Sequence, residues 1–325
     1  MTKLAYILAA SHSGSTLLNM LLGAHPQIAT VGEMKLPSKA MGDLIHYRCS
    51  CGEYIQKCTF WQKIKEGTAS RGFDFDLTDA GTDYRAVDSR YAQWLLGPLH
   101  RGVLLESLRD GALGISPTWR KQLLEIQRRN AALISTITEI IGAKMASDSS
   151  KIAIRLKYLL RNTELEVKII RLIRDGRGVA LTYMNPADFA DAKDPAMRGG
   201  GSGGQREKER LSMARAAYQW RRCNEEAEHV LRRLDKSQWI EIRYEDLCRD
   251  TEKTLGRLFE FLGLDPKKRV KDFRSIEHHV VGNGMRLDTT SQISLDERWR
   301  EKLTDHDLKI FESTAGKMNR KYGYK

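Results

Sequence analysis

The chain has 325 residues, with 54 Lys and Arg against 42 Asp and Glu, a formal net charge of +12 at pH 7. Hydrophobic residues make up 41% and charged residues 30%, a globular balance that excludes disordered, collagen-like and coiled-coil chains. No apolar run reaches the roughly 20 residues of a membrane helix. The stretch Leu4 to Ala10 is too short and weakly flanked for a signal peptide, so the expectation is a cytoplasmic protein without a membrane span.

Taken in chain order, Lys3 to Ala9 is an apolar run ahead of a Ser/Gly-rich segment, the pattern of a buried parallel strand. Ser15 to Leu22 predicts a helix with Leu17, Leu18, Leu21 and Leu22 on one face. His25-Pro26 ends it, and Ile28 to Val31 predicts a second short strand. Residues 34–116 are less regular, with helices expected near 84–96 and 100–109, and read as a helical insertion that shapes an acceptor site. Pro117 to Ile141 predicts a long helix with proline at its start. A strand over Ala143 to Ser147, a helix over Lys151 to Arg161 and a β-branched strand over Val167 to Ile173 follow. Helices are expected at Gly178 to Met184, Glu207 to Leu234, Thr251 to Leu262 and Leu303 to Asn319, and a strand at Trp239 to Arg243. Strands alternating with helices predict one α/β domain over 1–325, a parallel sheet flanked by helices on both faces. Right-handed crossovers then gather the strand C-termini on one edge, where open α/β sheets bind ligands. The GGGSGG run within 197–206 predicts a flexible loop.

The basic balance favours anionic partners but does not choose among them. The segment Ser11-His12-Ser13-Gly14-Ser15-Thr16 lies between the first strand and helix, where amides and hydroxyls can cradle a phosphate at a helix N-terminus. Aligned with a Walker A loop it has Ala9 at the first glycine and Ser15 in place of the lysine, so it is a P-loop-like cradle without the kinase machinery. A second motif, Arg174-Asp175-Gly176-Arg177, follows the strongest strand. Arg174 stands at its C-terminal end, Asp175 is placed to cap the next helix, and Thr182 lies about two turns into it. A guanidinium with a hydroxyl suits a second phosphate. The odd count of five cysteines argues against a disulfide scaffold. His46, Cys49, Cys51 and Cys58 cluster; four such ligands could hold zinc, yet C-x-C with one distant cysteine is no standard finger spacing, so a reduced structural cluster is the preferred reading, with zinc, or a Cys58 disulfide outside the cytoplasm, as the alternatives.

Two phosphate sites on one sheet edge without Walker features resemble the sulfotransferase family, whose donor is 3′-phosphoadenosine 5′-phosphosulfate (PAPS). Ser13, Gly14, Ser15 and Thr16 are similar to its 5′-phosphosulfate loop, and Arg174 with Thr182 to its 3′-phosphate motif. His25-Pro26 followed by Gly32-Glu33 is similar to the H-P…G-E stretch of tyrosylprotein and related sulfotransferases. Asp148 to Lys151, Arg243 to Leu247, Cys49 to Trp61 and His279 to Arg286 look like a bacterial-type branch. The resemblance implies sulfuryl transfer from PAPS to a hydroxyl or amine, with no metal required. It implies Glu33 as the base, provided that partial burial raises its pKa. His12 stands where the family has Lys or Arg, and Lys151 or Arg286 are the other candidates for that charge. Tyr244 is expected against the nucleotide and Arg286 over the 3′-phosphate. The competing readings are a nucleotide-dependent small-molecule kinase, which the missing Walker lysine opposes, and a nucleic-acid binder, for which no motif is present.

Overall fold

The apolar N-terminal run forms β1 (Thr2–Ala9), the middle strand of a five-stranded, all-parallel sheet. The others are β2 (Ile28–Thr30), β3 (Met145–Lys151), β4 (Leu165–Ile173) and β5 (Trp239–Arg243), in the order β2-β3-β1-β4-β5. The structure is a computed structural model and describes residues 1–35, 47–77, 80–84, 90–96, 103–199 and 210–325.

Side chains alternate across β1, so it feeds two cores. Leu4, Tyr6 and Leu8 pack on one face with α5 (Pro117–Ile141) and α6 (Ala153–Leu159). Ala5, Ile7 and Ala9 pack on the other with α1 (Ser15–Gly23) and α11 (Thr251–Phe261). Further helices, ahead of the C-terminal ones, are α2 (Thr59–Ala69), α3 (Arg90–Leu96), α4 (Val103–Ile115), α7 (Gly176–Met184), α8 (Pro186–Phe189), α9 (Met213–Leu231) and α10 (Tyr244–Arg249). A third cluster joins α7 and α9 to Trp299 and Phe311 of the C-terminal segment. Helices thus cover both faces of the sheet, as the strand–helix alternation predicts. Among the described residues no helix is long and apolar enough to cross a membrane.

Two expectations need correction. The third strand runs on to Lys151 instead of ending at Ser147, and its helix starts only at Ala153, because Ser147, Asp148 and Ser150 find buried partners. Within 34–116, α2 was not foreseen, although its Phe60, Trp61 and Ile64 pack into the core. The C-terminal helix runs as expected without interruption, from α13 (Asp305–Phe311) through a π turn at Glu312–Gly316 to α14 (Lys317–Lys321); Thr304 caps it by accepting the Asp307 amide, and the short α12 (Trp299–Lys302) precedes it. The expected Gly-rich loop and the expected start of α9 near Glu207 lie, from 200 to 209, outside the described residues.

Candidate active site

Because the sheet is parallel, all five strands end on one edge, and each delivers a polar residue there. His12 follows β1, Glu33 follows β2, Lys151 ends β3, Arg174 follows β4 and Tyr244 follows β5. All five line one cavity of about 650 Å³.

The 10–14 turn is shaped by two left-handed residues, His12 (φ 63°) and Gly14 (φ 88°). A Cβ on Gly14 would lie 2.5 Å from Tyr244 Cδ2, so only glycine admits the Tyr244 ring against the turn. No side chain caps α1, and Gly14, Ser15, Thr16 and Leu17 at its first turn line the cavity. The positive end of the helix dipole therefore opens onto it. Ser13 Oγ is buried and has no protein partner, an orphaned donor that an anion at this turn would satisfy. The His12 ring packs edge-on to Tyr183, with centroids 4.7 Å apart.

Arg174 is 7% exposed and its guanidinium lies 4.5 Å from the Tyr244 ring centre. It donates to the His12 carbonyl at 2.8 Å and to the Asp296 carboxylate at 2.9 Å. Asp296 in turn binds Arg298 at 2.8 Å, and although burial works the other way, the two guanidinium groups hold its carboxyl far below the usual carboxylate range. Asp175 caps α7 by accepting the Arg177 amide at 2.9 Å, as expected. Thr182, two turns into α7, is buried at the cavity wall and donates to the Gly178 carbonyl at 3.1 Å.

On the β2–β3 side Glu33 forms ion pairs with Lys151 and, at 3.5 Å, with Lys35. Lys151 is held in a left-handed conformation (φ 71°), which turns its side chain off the end of β3. The register of this pair is set from below. Asp148 Oδ1 accepts the Met34 amide at 3.1 Å, so it ties the residue after Glu33 to β3. Its other oxygen binds Arg155 Nε at 2.9 Å, and Arg155 reaches the Thr82 carbonyl and Asn130 Oδ1, both at 2.7 Å. Asp148 and Arg155 are 0% and 1% exposed, a fully buried pair with its hydrogen-bonding capacity used.

The expected rise in the Glu33 pKa is corrected. Burial pushes the carboxyl up, but the adjacent Lys151 and Lys35 ammonium groups outweigh it and hold the carboxyl at about 2. Arg286 is not brought into the cavity: it is 1% exposed and donates to the carbonyls of Gly282 (2.6 Å), Asn283 (3.1 Å) and Arg48 (2.5 Å). His25 is buried as well, bonded to the Asp265 carbonyl at 3.0 Å, and serves the turn between α1 and β2. The sequence reading missed Lys35, Asp296 and Arg298 at the cavity. Lys35 carried a signal, two residues beyond Glu33; Asp296 and Arg298 carried none, since a long irregular loop brings them there. Cys49, Cys51 and Cys58 do come together, joined by His279; His46 lies outside the described residues.

The profile of the Sulfotransferase family matches residues 5–268, a span that takes in most of β1, the other four strands and the five polar residues at the strand ends. The chain belongs to this family. The sulfotransferase is similar in fold to sulfotransferase STF9 from Mycobacterium avium, with a TM-score of 0.50 at 11% identity over 100% of this chain and 78% of that one. Weaker likenesses are to the sulfotransferase domain from the curacin biosynthetic pathway (TM-score 0.46, 18% identity, 100% and 99% covered) and to mouse sulfotransferase SULT7A1 complexed with PAP (0.43, 11%, 99% and 88%). A sequence comparison with curated proteins finds no match. The chain is accordingly an enzyme of sulfuryl transfer rather than a kinase.

Proposed function

We propose that the sulfotransferase takes its sulfuryl group from PAPS and passes it to an acceptor hydroxyl, as one 325-residue cytoplasmic domain whose 34–116 segment shapes the acceptor side. The observation that carries this reading is that the uncapped start of α1, Arg174 and the Glu33–Lys151 pair line one cavity. Ser13, Gly14, Ser15 and Thr16 receive the 5′-phosphosulfate at the helix N-terminus. Arg174 and Thr182 receive the 3′-phosphate, and Tyr244 lies under the nucleotide. Arg286 acts on that site only indirectly, by fixing the 282–283 backbone.

The acceptor oxygen attacks sulfur, the bond from sulfur to the bridging phosphate oxygen breaks, and adenosine 3′,5′-bisphosphate leaves. Glu33 accepts the acceptor's proton, while Lys151 and His12 face the charge that develops on the leaving phosphate. A carboxyl held at about 2 is a weak base, and the same ion pair supplies the remedy. An ammonium drawn to the phosphosulfate releases its hold on Glu33, so the base strengthens as the donor is bound. Calorimetry or thermal shift with the bisphosphate, ATP and an oligonucleotide tests the donor class. Stabilisation by the bisphosphate alone supports the reading, since a ligand stabilises by its mass-action term. Preference for ATP, or no transfer of label from PAPS to any hydroxyl acceptor, sinks it.

A further inference from the structure

Away from the nucleotide cavity's floor, Cys49, Cys51, Cys58 and His279 place one donor atom each within 4.8 Å of all the others. Cys51 Sγ and Cys58 Sγ are 3.8 Å apart, and His279 Nδ1 lies 3.6 Å from Cys49 Sγ and 3.4 Å from Cys58 Sγ. Four-coordinate zinc has Zn–S of about 2.3 Å and Zn–N of about 2.0–2.1 Å, so a tetrahedron has S···S edges of about 3.8 Å and S···N edges of about 3.6 Å. The three observed separations lie within about 0.2 Å of those edges.

The surroundings are those of a ligand set. Gly52 (φ 89°) turns the chain so that its amide reaches the Cys49 carbonyl at 2.9 Å, and this turn brings the C-x-C sulfurs to one side. His279 turns Nδ1 to the sulfurs and sets Nε2 3.3 Å from the Glu277 carboxylate, the outer partner that fixes tautomer and orientation in metal-bound histidines. Its ring stacks on Phe60 at 4.3 Å, nearly parallel at 5°. All three cysteines are free thiols.

We propose that Cys49, Cys51, Cys58 and His279 form a structural zinc(II) site that clamps the 47–58 segment to the 278–283 segment. Three thiols and a neutral imidazole suit zinc over the hard cations, and binding releases the three thiol protons. With four protein donors the site is closed, so it takes no part in sulfuryl transfer, and it stands apart from the choice of donor nucleotide. Its influence on the cavity is mechanical. From His279 the chain runs on to Val281, whose amide binds the Val31 carbonyl at 2.8 Å, and to Asn283, whose amide reaches Thr16 Oγ1 at 3.4 Å. Gly32 lies so close to this segment that a Cβ would sit 1.9 Å from the Val281 carbonyl oxygen. The clamp therefore braces the chain beside both Glu33 and the α1 turn.

The test uses the full chain without a polyhistidine tag, purified with reductant and no chelator. Elemental analysis should find about one zinc per chain, the stoichiometry of a closed four-ligand site. Exchange for cobalt(II) should give thiolate-to-cobalt charge-transfer absorption with a tetrahedral ligand-field spectrum. Cys51→Ser, at the exposed ligand, and His279→Ala should each lose the metal, and chelation should speed amide exchange at Val281 and Asn283. A reduced wild-type chain that takes up neither zinc nor cobalt overturns the proposal, as does retention of the metal by both variants. The wild-type cobalt spectrum reads the donor set even if the variants fail to fold.

Discussion

The two halves of the cavity hold their charges by different means. On the β1–β4–β5 side the groups proposed to bind the donor are mostly backbone and hydroxyl, and the buried Arg174 at the cavity is countered by Asp296 from a distant loop. On the β2–β3 side the charges sit on Glu33, Lys151 and Lys35, and a buried network through Asp148 and Arg155 fixes where they stand. A site for a bound polyanion can use a helix terminus and a cation whose counter-ion is displaceable, because the ligand brings charge with it. A site that moves a proton needs its carboxylate placed to within a fraction of an ångström, and so needs a rigid support.

The sharpest way to break the comparison is Glu33→Gln. Turnover should fall on the order of 10²–10⁴-fold, the usual share of a general base, while donor affinity holds or rises because Lys151 is released from its ion pair. An acidic phenol acceptor, already ionised near neutral pH, should recover part of the loss; near-normal turnover on an ordinary hydroxyl would place the base elsewhere. The pH dependence carries the same message. With its carboxyl held at about 2, Glu33 stays ionised, so kcat/KM should be flat on the acid side between pH 4 and 7 as far as this group is concerned. Lys151→Met removes the main charge holding the carboxyl down, so an acid limb should appear nearer the ordinary glutamate value of about 4.3.

The support should prove costlier to cut than either binding half. Arg155→Met leaves the Asp148 carboxylate buried without its partner, a loss of about 3–5 kcal/mol on unfolding by denaturant. Loss of only about 1 kcal/mol would mean that the pair is not what holds Met34 and Glu33 in register. Smaller still is the effect on the donor side. Arg174→Ala should weaken PAPS binding by roughly 1.5–3 kcal/mol and spare adenosine 5′-phosphosulfate, which has no 3′-phosphate. Asp296→Asn removes the competing carboxylate and should tighten the bisphosphate, detectable by calorimetry as a lower Kd. Equal losses for both nucleotides in Arg174→Ala, or weaker binding in Asp296→Asn, would undo this account of the β4 side.

Much of this was legible in the chain because local pattern and burial agree. β1, α5 and β5 read directly from apolar runs, a leading proline and a bounded strand, and the loop before α1 and Arg174 after β4, both expected at the strand ends, line one cavity there. β3 did not read so. Met145–Lys151 is MASDSSK, polar enough to look like a strand end and a helix start, and it is a strand only because Asn19, Met34 and Arg155 satisfy its side chains. The same limit hid the fourth member of the cysteine cluster, His279, which lies 221 residues beyond Cys58.

The sequence by itself determined the layered α/β scaffold and the identity of the groups at the strand ends, since short-range periodicity and the geometry of parallel crossovers leave little choice. Only the tertiary structure decided their electrical state and company. Whether Glu33 is raised or lowered, whether Arg174 is free or countered by Asp296, and whether Arg286 faces the cavity or the backbone all depend on charges and carbonyls brought together across long stretches of chain. Electrostatic interactions act through space at a few ångströms, and a one-dimensional pattern carries no record of those distances.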